Sequence, residues 1–155
     1  GAGAAALYAN ARVSPPQRAM AQRILDAVGI TRWLDSEALI DTVTGLSGSG
    51  PAYFFAMVEA LEAAAVAQGL PRDIARALAA QTCLGAGRML AESGEEAAEL
   101  RRRVTSPNGT TQAALESFAA DGLGPTVARA VAAATRRSGE LADSLDAEAP
   151  SHRVS

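Results

Sequence analysis

The chain has 155 residues, a net charge of −3 and one cysteine, and 48% of its residues are hydrophobic although only 4% are aromatic. This length suggests one domain, or one domain with a piece of a second. The lack of a basic excess excludes an obvious nucleic-acid surface, and one His with one Cys cannot form a zinc-type metal site. A single cysteine also fits a reducing compartment, so we expect a cytoplasmic protein.

No uninterrupted apolar run reaches the roughly 18 residues of a membrane span, and no basic segment precedes an apolar stretch as in a signal peptide. We therefore expect no membrane partner, in addition to no nucleic acid and no metal.

The N-terminal residues predict a loop, a helix and a strand. GAGAAA at 1–6 imitates a Gly-rich dinucleotide-binding turn, but no strand precedes it here, so we expect a loop. Ser14, followed by proline, is typical of a helix start, and Gly29 is typical of a helix end. Residues 30–34 then predict a short strand. This order of elements is typical of an alternating α/β layer.

From Ser36 onward the apolar spacing predicts only helices. The helix that begins at Ser36 is expected to stop at the Gly/Ser cluster 45–50, and Pro51 is expected to start a long helix to about Gln68. Further helices are predicted at about 72–92, 95–103, 110–120 and 125–145.

Two features of these helices predict close packing. Gly85 and Gly87 lie inside the helix 72–92, where each costs roughly 1 kcal/mol relative to Ala, so a neighbouring backbone is expected to pack closely there. The last helix has apolar and small residues at alternating spacings of four and three, which indicates a helix–helix contact, either in the core or between subunits. These residues, called the last-helix stripe below, are Val127, Val131, Ala134, Ser138, Leu141 and Leu145.

Two turns rich in Gly, Ser and Thr, at 47–51 and 105–111, lead directly into predicted helices. A helix N-terminus offers unpaired N–H groups and partial positive charge, so either turn could bind a carboxylate or phosphate, although ordinary caps use the same residues. The second turn has the hydroxyls of Ser106, Thr110 and Thr111 but no acid, His or Lys. Such a site could position a small carboxylate for a cofactor-borne hydride transfer better than it could catalyse hydrolysis.

VTSPNGTTQAALESF at 104–118 resembles the signature of the pyrroline-5-carboxylate reductase family, and TGLSGSGPAY at 44–53 resembles that family's other shared segment. ALYAN with the helix from Ser14 is similar to the end of the family's dinucleotide-binding domain. The resemblance implies a mainly α chain, with a helical dimerisation domain of the 6-phosphogluconate-dehydrogenase-like type. The implied divisions are a short α/β remnant of a Rossmann domain at 1–34, the helical domain at 35–146 and a disordered tail at 147–155.

The family reduces L-1-pyrroline-5-carboxylate to L-proline with NADPH or NADH, and it forms intertwined dimers that often assemble into decamers. The resemblance implies that the substrate-binding residues are Val104, Ser106, Gly109, Thr110 and Thr111. Thr111 is also implied to be catalytic, with its hydroxyl near the ring nitrogen. The implied cofactor-binding residues are Ser49, Gly50, Pro51 and Ala52. Asn108 departs from the family, which usually has Gly there, but Asn also tolerates positive φ.

The family's Gly-rich phosphate turn has no counterpart in this sequence, so we expect no cofactor bound to this chain alone and no activity from it. A different interpretation is a non-catalytic helical oligomerisation module in which both turns serve only as caps. A third is the helical domain of a 6-phosphogluconate or hydroxyacid type of dehydrogenase, which usually brings a catalytic Lys. All 14 basic residues here are Arg, which argues against the third.

Overall fold

The computed structural model describes residues 1–148, with side chains through Leu145, so residues 149–155 of the predicted disordered tail lie outside the described residues. The described residues are mainly α-helical, as predicted, and they include one two-stranded sheet. They form two compact units, Gly1–Gly50 together with the chain from Val127, and Pro51–Thr126. These units divide the chain differently from the predicted domains, whose boundaries stay a prediction.

The first unit begins with a parallel pair of strands. Strand β1 is Gly3–Leu7 and strand β2 is Gly29–Trp33, paired in register from Gly3 opposite Gly29 to Leu7 opposite Trp33. The predicted loop at 1–6 is therefore wrong. Glycine and alanine favour strands weakly, and here the pairing with a distant strand decides the conformation. The small residues fit because a Cβ on Gly29 would lie 1.9 Å from the carbonyl oxygen of Gly3.

Helix α1, Pro15–Asp26, connects these strands. It begins as predicted, and the Oε1 atom of Gln17 accepts hydrogen bonds from the backbone N–H of Ser14 at 2.8 Å and from its hydroxyl at 2.9 Å. The helix ends earlier than predicted, because Ala27 caps it and Gly29 instead begins β2. The Trp33 indole of β2 lies against α1, where it donates to Gln22 and stacks 4.2 Å from the guanidinium of Arg18.

The predicted break at the Gly/Ser cluster 45–50 is a π-helical turn between two α-helices and not a loop. A 3₁₀ turn at Glu37–Leu39 leads into α2, Ile40–Val43, and a π-helical turn at Thr44–Gly48 then leads into α3, Gly50–Ala67. The N–H of Ser49 donates to the carbonyl of Thr44 at 2.8 Å, which is the wide bond of a π-helix. Glycine disfavours helix, but here packing outweighs propensity, because Gly45 is buried against the last helix.

The last helix, α7, is Leu123–Glu148, and it starts slightly earlier than predicted after Gly122, which has a φ of 72°. The middle of the last-helix stripe, at Val131, Ala134 and Ser138, is half-buried within the first unit. Its ends at Val127 and Leu145 are 49% and 68% exposed. The stripe is thus an internal contact in its middle and open to solvent at its ends.

The second unit contains helices α4, Arg72–Glu92, α5, Ala97–Arg103, and α6, Thr110–Ala120, close to the predicted spans. Among the described residues, only Ala75 and Leu100 are buried hydrophobic residues. Phe54 and Phe55 of α3 are 62% and 71% exposed. An apolar cleft of about 430 Å³ lies between α3 and α4, lined by Phe54, Met57, Val58, Leu61, Thr82, Cys83, Ala86, Gly87 and Leu90.

The close backbone approach predicted at Gly85 and Gly87 is not made by this chain. Apart from the chain neighbours and helix backbone of each glycine, no atom of the described residues lies within 4 Å of the position that a Cβ would take there. Both glycines therefore leave room on α4 that the chain itself does not fill.

The helical stretch Glu37–Ala67 is long and apolar enough to cross a membrane by length and composition alone, and little of it is buried. The sequence has no uninterrupted apolar run here, because Gly, Ser and Thr residues at 44–50 break it. One such helix is weak evidence for a membrane span. An exposed apolar helix is equally what a partner subunit would cover.

Candidate functional site

The loop between α5 and α6 contains the predicted substrate residues, and its first part is fixed to α5. The N–H of Val104 donates to the carbonyl of Leu100 at 3.3 Å, and the N–H of Thr105 donates to that of Arg102 at 3.1 Å. The hydroxyl of Thr105 donates to the carbonyl of Arg101 at 2.6 Å. The hydroxyl and the N–H of Thr105 therefore both bond to the end of α5. The hydroxyls predicted to bind substrate come after it.

A tight turn at 106–109 follows. The N–H of Gly109 donates to the carbonyl of Ser106 at 3.0 Å, and Asn108 has a φ of 58°, as its tolerance of positive φ predicted. A Cβ on Gly109 would lie 3.0 Å from that carbonyl and 3.4 Å from the Cβ of Ser106. Glycine at 109 therefore lets the Ser106 side chain lie beside the start of α6.

Gln112 holds this turn from α6, a role that was not predicted. Its Oε1 atom accepts from the N–H of Asn108 at 2.8 Å, and its Nε2 atom donates to Oε1 of Glu116 at 2.7 Å. The sequence signal was present, because Gln three residues after the cap at Gly109 is the spacing of a capping box. Here the side chain reaches one residue further back than in that motif.

The N-terminus of α6 is open. The first helical bond runs from the N–H of Ala113 to the carbonyl of Gly109 at 3.2 Å. The N–H groups of Thr110, Thr111 and Gln112 make no hydrogen bond within residues 1–148, and the same holds for the hydroxyls of Ser106, Thr110 and Thr111. These donors surround the positive end of an eleven-residue helix, which is an arrangement that binds an anion.

The arginines before the loop are largely occupied by neighbouring acids. Arg102 donates to Glu99 at 2.8 Å, and Arg103 forms an ion pair with Glu95. The hydrogen bond from Arg102 lowers the pKa of Glu99 and raises the pKa of Arg102, and the pair with Glu95 raises the pKa of Arg103. All three side chains are exposed to solvent, which screens their charge. The open end of α6 is therefore the local feature that most favours an anion.

The predicted cofactor segment at 49–52 has a different geometry from the one expected. Its N–H groups do not form an open helix N-terminus, because the helix continues through the π turn and Ser49 donates to Thr44. Ser49 is half-buried, Gly50 is buried, and Pro51 and Ala52 are exposed. Apart from its two chain neighbours and the backbone of its own helix, no atom lies within 4 Å of the position of a Cβ on Gly50, but the residue itself has little surface exposed to solvent.

Within the described part of the chain, no group of three or more His, Cys, Asp or Glu residues could hold a metal ion. The candidate site consists of hydroxyl groups, backbone donors and glycines. It can bind and orient a small anion and donate a hydrogen bond, and it offers no strong base or nucleophile.

Asn108 allows a first prediction, on the stability of the turn. Its φ of 58° is in the left-handed region, where a β-branched side chain is strained. Asn108→Val should lower the free energy of unfolding by about 1–2 kcal/mol, whereas Asn108→Gly should change it little. Urea denaturation followed by circular dichroism measures both. Equal effects of the two substitutions would contradict a left-handed residue at 108.

Three comparisons with known proteins agree with one another. Residues 37–141 match a family model described as "Pyrroline-5-carboxylate reductase dimerisation". The pyrroline-5-carboxylate reductase of Pseudomonas aeruginosa is 55% identical over 143 residues, which cover 92% of this chain and 52% of that protein. The enzyme of the same name from Synechocystis is 47% identical over 141 residues, covering 91% and 52%.

Solved structures are similar as well. A pyrroline-5-carboxylate reductase from Coxiella burnetii superimposes with a TM-score of 0.85 at 42% identity, covering 88% of this chain and 51% of that one. A pyrroline carboxylate reductase from Plasmodium falciparum with NADP bound gives a TM-score of 0.75 at 30% identity, covering 86% and 51%. The chain spans about half the length of the curated relatives it matches.

Proposed function

Because the chain belongs to the pyrroline-5-carboxylate reductase dimerisation family, we propose that it is the helical half of an enzyme that reduces L-1-pyrroline-5-carboxylate to L-proline. The hydride would come from NADPH or NADH. The observation that carries the proposal is the open N-terminus of α6, where Ser106, Thr110 and Thr111 offer unpaired donors within the family's signature segment. We propose a cytoplasmic location, as expected for a soluble biosynthetic enzyme.

The substrate carboxylate suits the end of α6. The N–H groups of Thr110 and Thr111 are free to donate to its oxygens, and the Ser106 hydroxyl lies beside them. Gly109 is a weaker candidate than predicted because its N–H already donates to Ser106, so a carboxylate could only share it. Val104, which is 57% exposed, would supply an apolar wall for the ring.

The reduction adds a hydride to the imine carbon of the substrate and a proton to the imine nitrogen. The nicotinamide cofactor supplies the hydride when it is bound. Thr111 is half-buried and its hydroxyl has no partner among the described residues, so it can donate a hydrogen bond to the ring nitrogen and relay the proton. The residues that would face the nicotinamide are Ser49, Gly50, Pro51 and Ala52, of which Pro51 and Ala52 are exposed and Ser49 is half-buried.

The exposed apolar side chains of α3 and α4 support a homo-oligomer. Phe54, Phe55 and Leu84 are each more than half exposed, and a second copy of the chain would remove them from water. We propose an intertwined dimer that can assemble further into a decamer. The open surface at Gly85 and Gly87 would then allow the backbone of another chain to approach α4.

The test of this function compares the full-length enzyme with the 155-residue chain. The full-length enzyme should oxidise NADPH only when pyrroline-5-carboxylate is present and should form proline, whereas the chain alone should show no turnover. The matched control substrate is 1-pyrroline, which has the imine but no carboxylate. Its kcat/KM should be about 10- to 100-fold lower, since a hydrogen bond to a charged group contributes about 1.5–3 kcal/mol.

Equal turnover of the two substrates would contradict the carboxylate site at α6. Turnover by the chain alone would contradict its dependence on a separate dinucleotide-binding half. No oxidation by the full-length enzyme would contradict the reductase function and leave the non-catalytic oligomerisation module as the better interpretation.

A further inference from the structure

The π turn at Thr44–Gly48 packs backbone against backbone on α7. Gly45 is buried, and a Cβ there would lie 2.5 Å from Oγ1 of Thr135, 3.1 Å from the N atom of Thr135 and 3.1 Å from the carbonyl oxygen of Val131. Any side chain at 45 would push the turn away from α7. The contact therefore requires glycine for a reason other than conformational freedom.

A hydrogen bond fixes the same contact one turn further along α7. The hydroxyl of Ser138 donates to Oδ1 of Asp41 at 2.7 Å, across 97 positions of sequence. Gly139 lies alongside, and a Cβ there would be 3.5 Å from the other carboxylate oxygen of Asp41. Asp41 is in α2, immediately before the π turn. The turn is thus held to α7 by a glycine contact and by a side-chain hydrogen bond.

A π turn needs such support, because it is rare and appears mostly as a single turn inside an α-helix. It contains one more residue than an α turn, and each residue of an α-helix advances by about 100°. If the turn relaxed to α geometry, Ser49 and Gly50 would rotate by about this angle relative to α2. The contact with α7 therefore decides which way these two residues face.

We propose that Asp41, Gly45 and Ser138 are positioning residues for dinucleotide binding, which hold the π turn so that Ser49 and Gly50 face the nicotinamide. The proposal rests on the proposed function, because that function places the cofactor at 49–52. None of the three residues touches the reacting atoms in this assignment. Their effect should therefore fall on the affinity for dinucleotide more than on the affinity for pyrroline-5-carboxylate.

The test uses the full-length enzyme and separates dinucleotide from substrate effects. Ser138→Ala removes one part-buried hydrogen bond to the Asp41 carboxylate, and it should raise the KM for NADPH about fivefold and leave the KM for pyrroline-5-carboxylate within twofold. Gly45→Ala should raise the KM for NADPH more, about tenfold, because the added methyl group displaces the turn. Asp41→Asn keeps an acceptor oxygen and should restore most of the affinity that Asp41→Ala loses.

Two matched controls come from the same helix. Ser144 is on α7, but its hydroxyl donates at 2.7 Å to the carbonyl of Glu140 in the same helix, so Ser144→Ala should leave the KM for NADPH unchanged. Gly124 has no atom within 4 Å of its Cβ position, so Gly124→Ala is the control for Gly45→Ala. Adding Thr135→Ala to Gly45→Ala removes the 2.5 Å contact and should recover part of the affinity.

Amide hydrogen exchange without cofactor gives a readout that does not need activity. Ser138→Ala should speed exchange at residues 44–50, and Ser144→Ala should not. Variants that lose thermal stability but keep the wild-type KM for NADPH would overturn the proposal, as would an equal effect of the two serine substitutions. An inactive wild-type enzyme would contradict the proposed function and leave the exchange result to be judged by itself. Unchanged exchange at residues 44–50 in Ser138→Ala would show that the contact with α7 does not hold the turn.

Discussion

Thr111→Ala in the full-length enzyme should lower kcat about 100-fold and leave the KM for pyrroline-5-carboxylate within about threefold, because a positioned proton donor contributes at least this much. Alanine keeps the backbone N–H of residue 111, which is unpaired in the structure. The proposed hydrogen bond from this N–H to the substrate carboxylate is therefore kept. Only the hydroxyl, which has no partner among the described residues, is lost. The expected loss therefore falls on the chemical step. Steady-state kinetics of NADPH oxidation at saturating cofactor measures both constants.

Two control variants separate a role of this hydroxyl from a general effect on the loop. Thr111→Ser keeps the hydroxyl and should retain most of kcat. Thr105→Ala removes a neighbouring hydroxyl whose bond goes to Arg101 of the same chain segment, so it should affect stability more than kcat. Subunit association should be unchanged in all three variants. An unchanged kcat in Thr111→Ala would show that the catalytic assignment is wrong.

The parts of the fold that the sequence predicted well are those that local chemistry determines. The spans of α4 and α6 follow from their caps and their apolar spacing, and the start of α1 follows from Ser14 and the proline after it. Asn108 was expected to tolerate a left-handed turn, and it adopts one. In each case the residues that decide the structure lie within a few positions of it.

The features that were predicted wrongly depend on residues that are distant in the sequence. Strand β1 depends on β2, whose residues come 26 positions later, so Ala and Gly alone gave no strand signal. The π turn at 44–48 depends on the backbone of α7 at Val131 and Thr135, and the sequence showed only residues that favour a break. Nothing near Gly45 in the sequence showed that the backbone of the last helix approaches it.

The candidate site divides in the same way. Its hydroxyl groups could be read directly from the segment 105–111, and the open helix end that presents them is present in the structure. The hydrogen bonds from the N–H of Gly109 to Ser106 and from the N–H of Asn108 to Gln112 were not predicted. Both depend on how the turn closes. The family signature indicates which residues are expected in the site, and the hydrogen bonds show which of their donors have no partner among the described residues.

The second large effect concerns association through α3. The wild-type chain should sediment with at least twice the 15.8 kDa mass of one chain, because Phe54 and Phe55 are 62% and 71% exposed in the single copy. Phe55→Arg should weaken this association about 1000-fold, since an unpaired charge in a buried contact costs about 3–5 kcal/mol. Gln68→Arg adds the same charge at an exposed position just after α3 and should leave the association unchanged.

Analytical ultracentrifugation over a range of concentrations measures the dissociation constants of the wild-type chain and of each variant. Equal dissociation constants for wild type and Phe55→Arg would place the interface elsewhere, and co-sedimentation of the wild-type chain with neutral lipid vesicles would instead indicate that a membrane covers Glu37–Ala67.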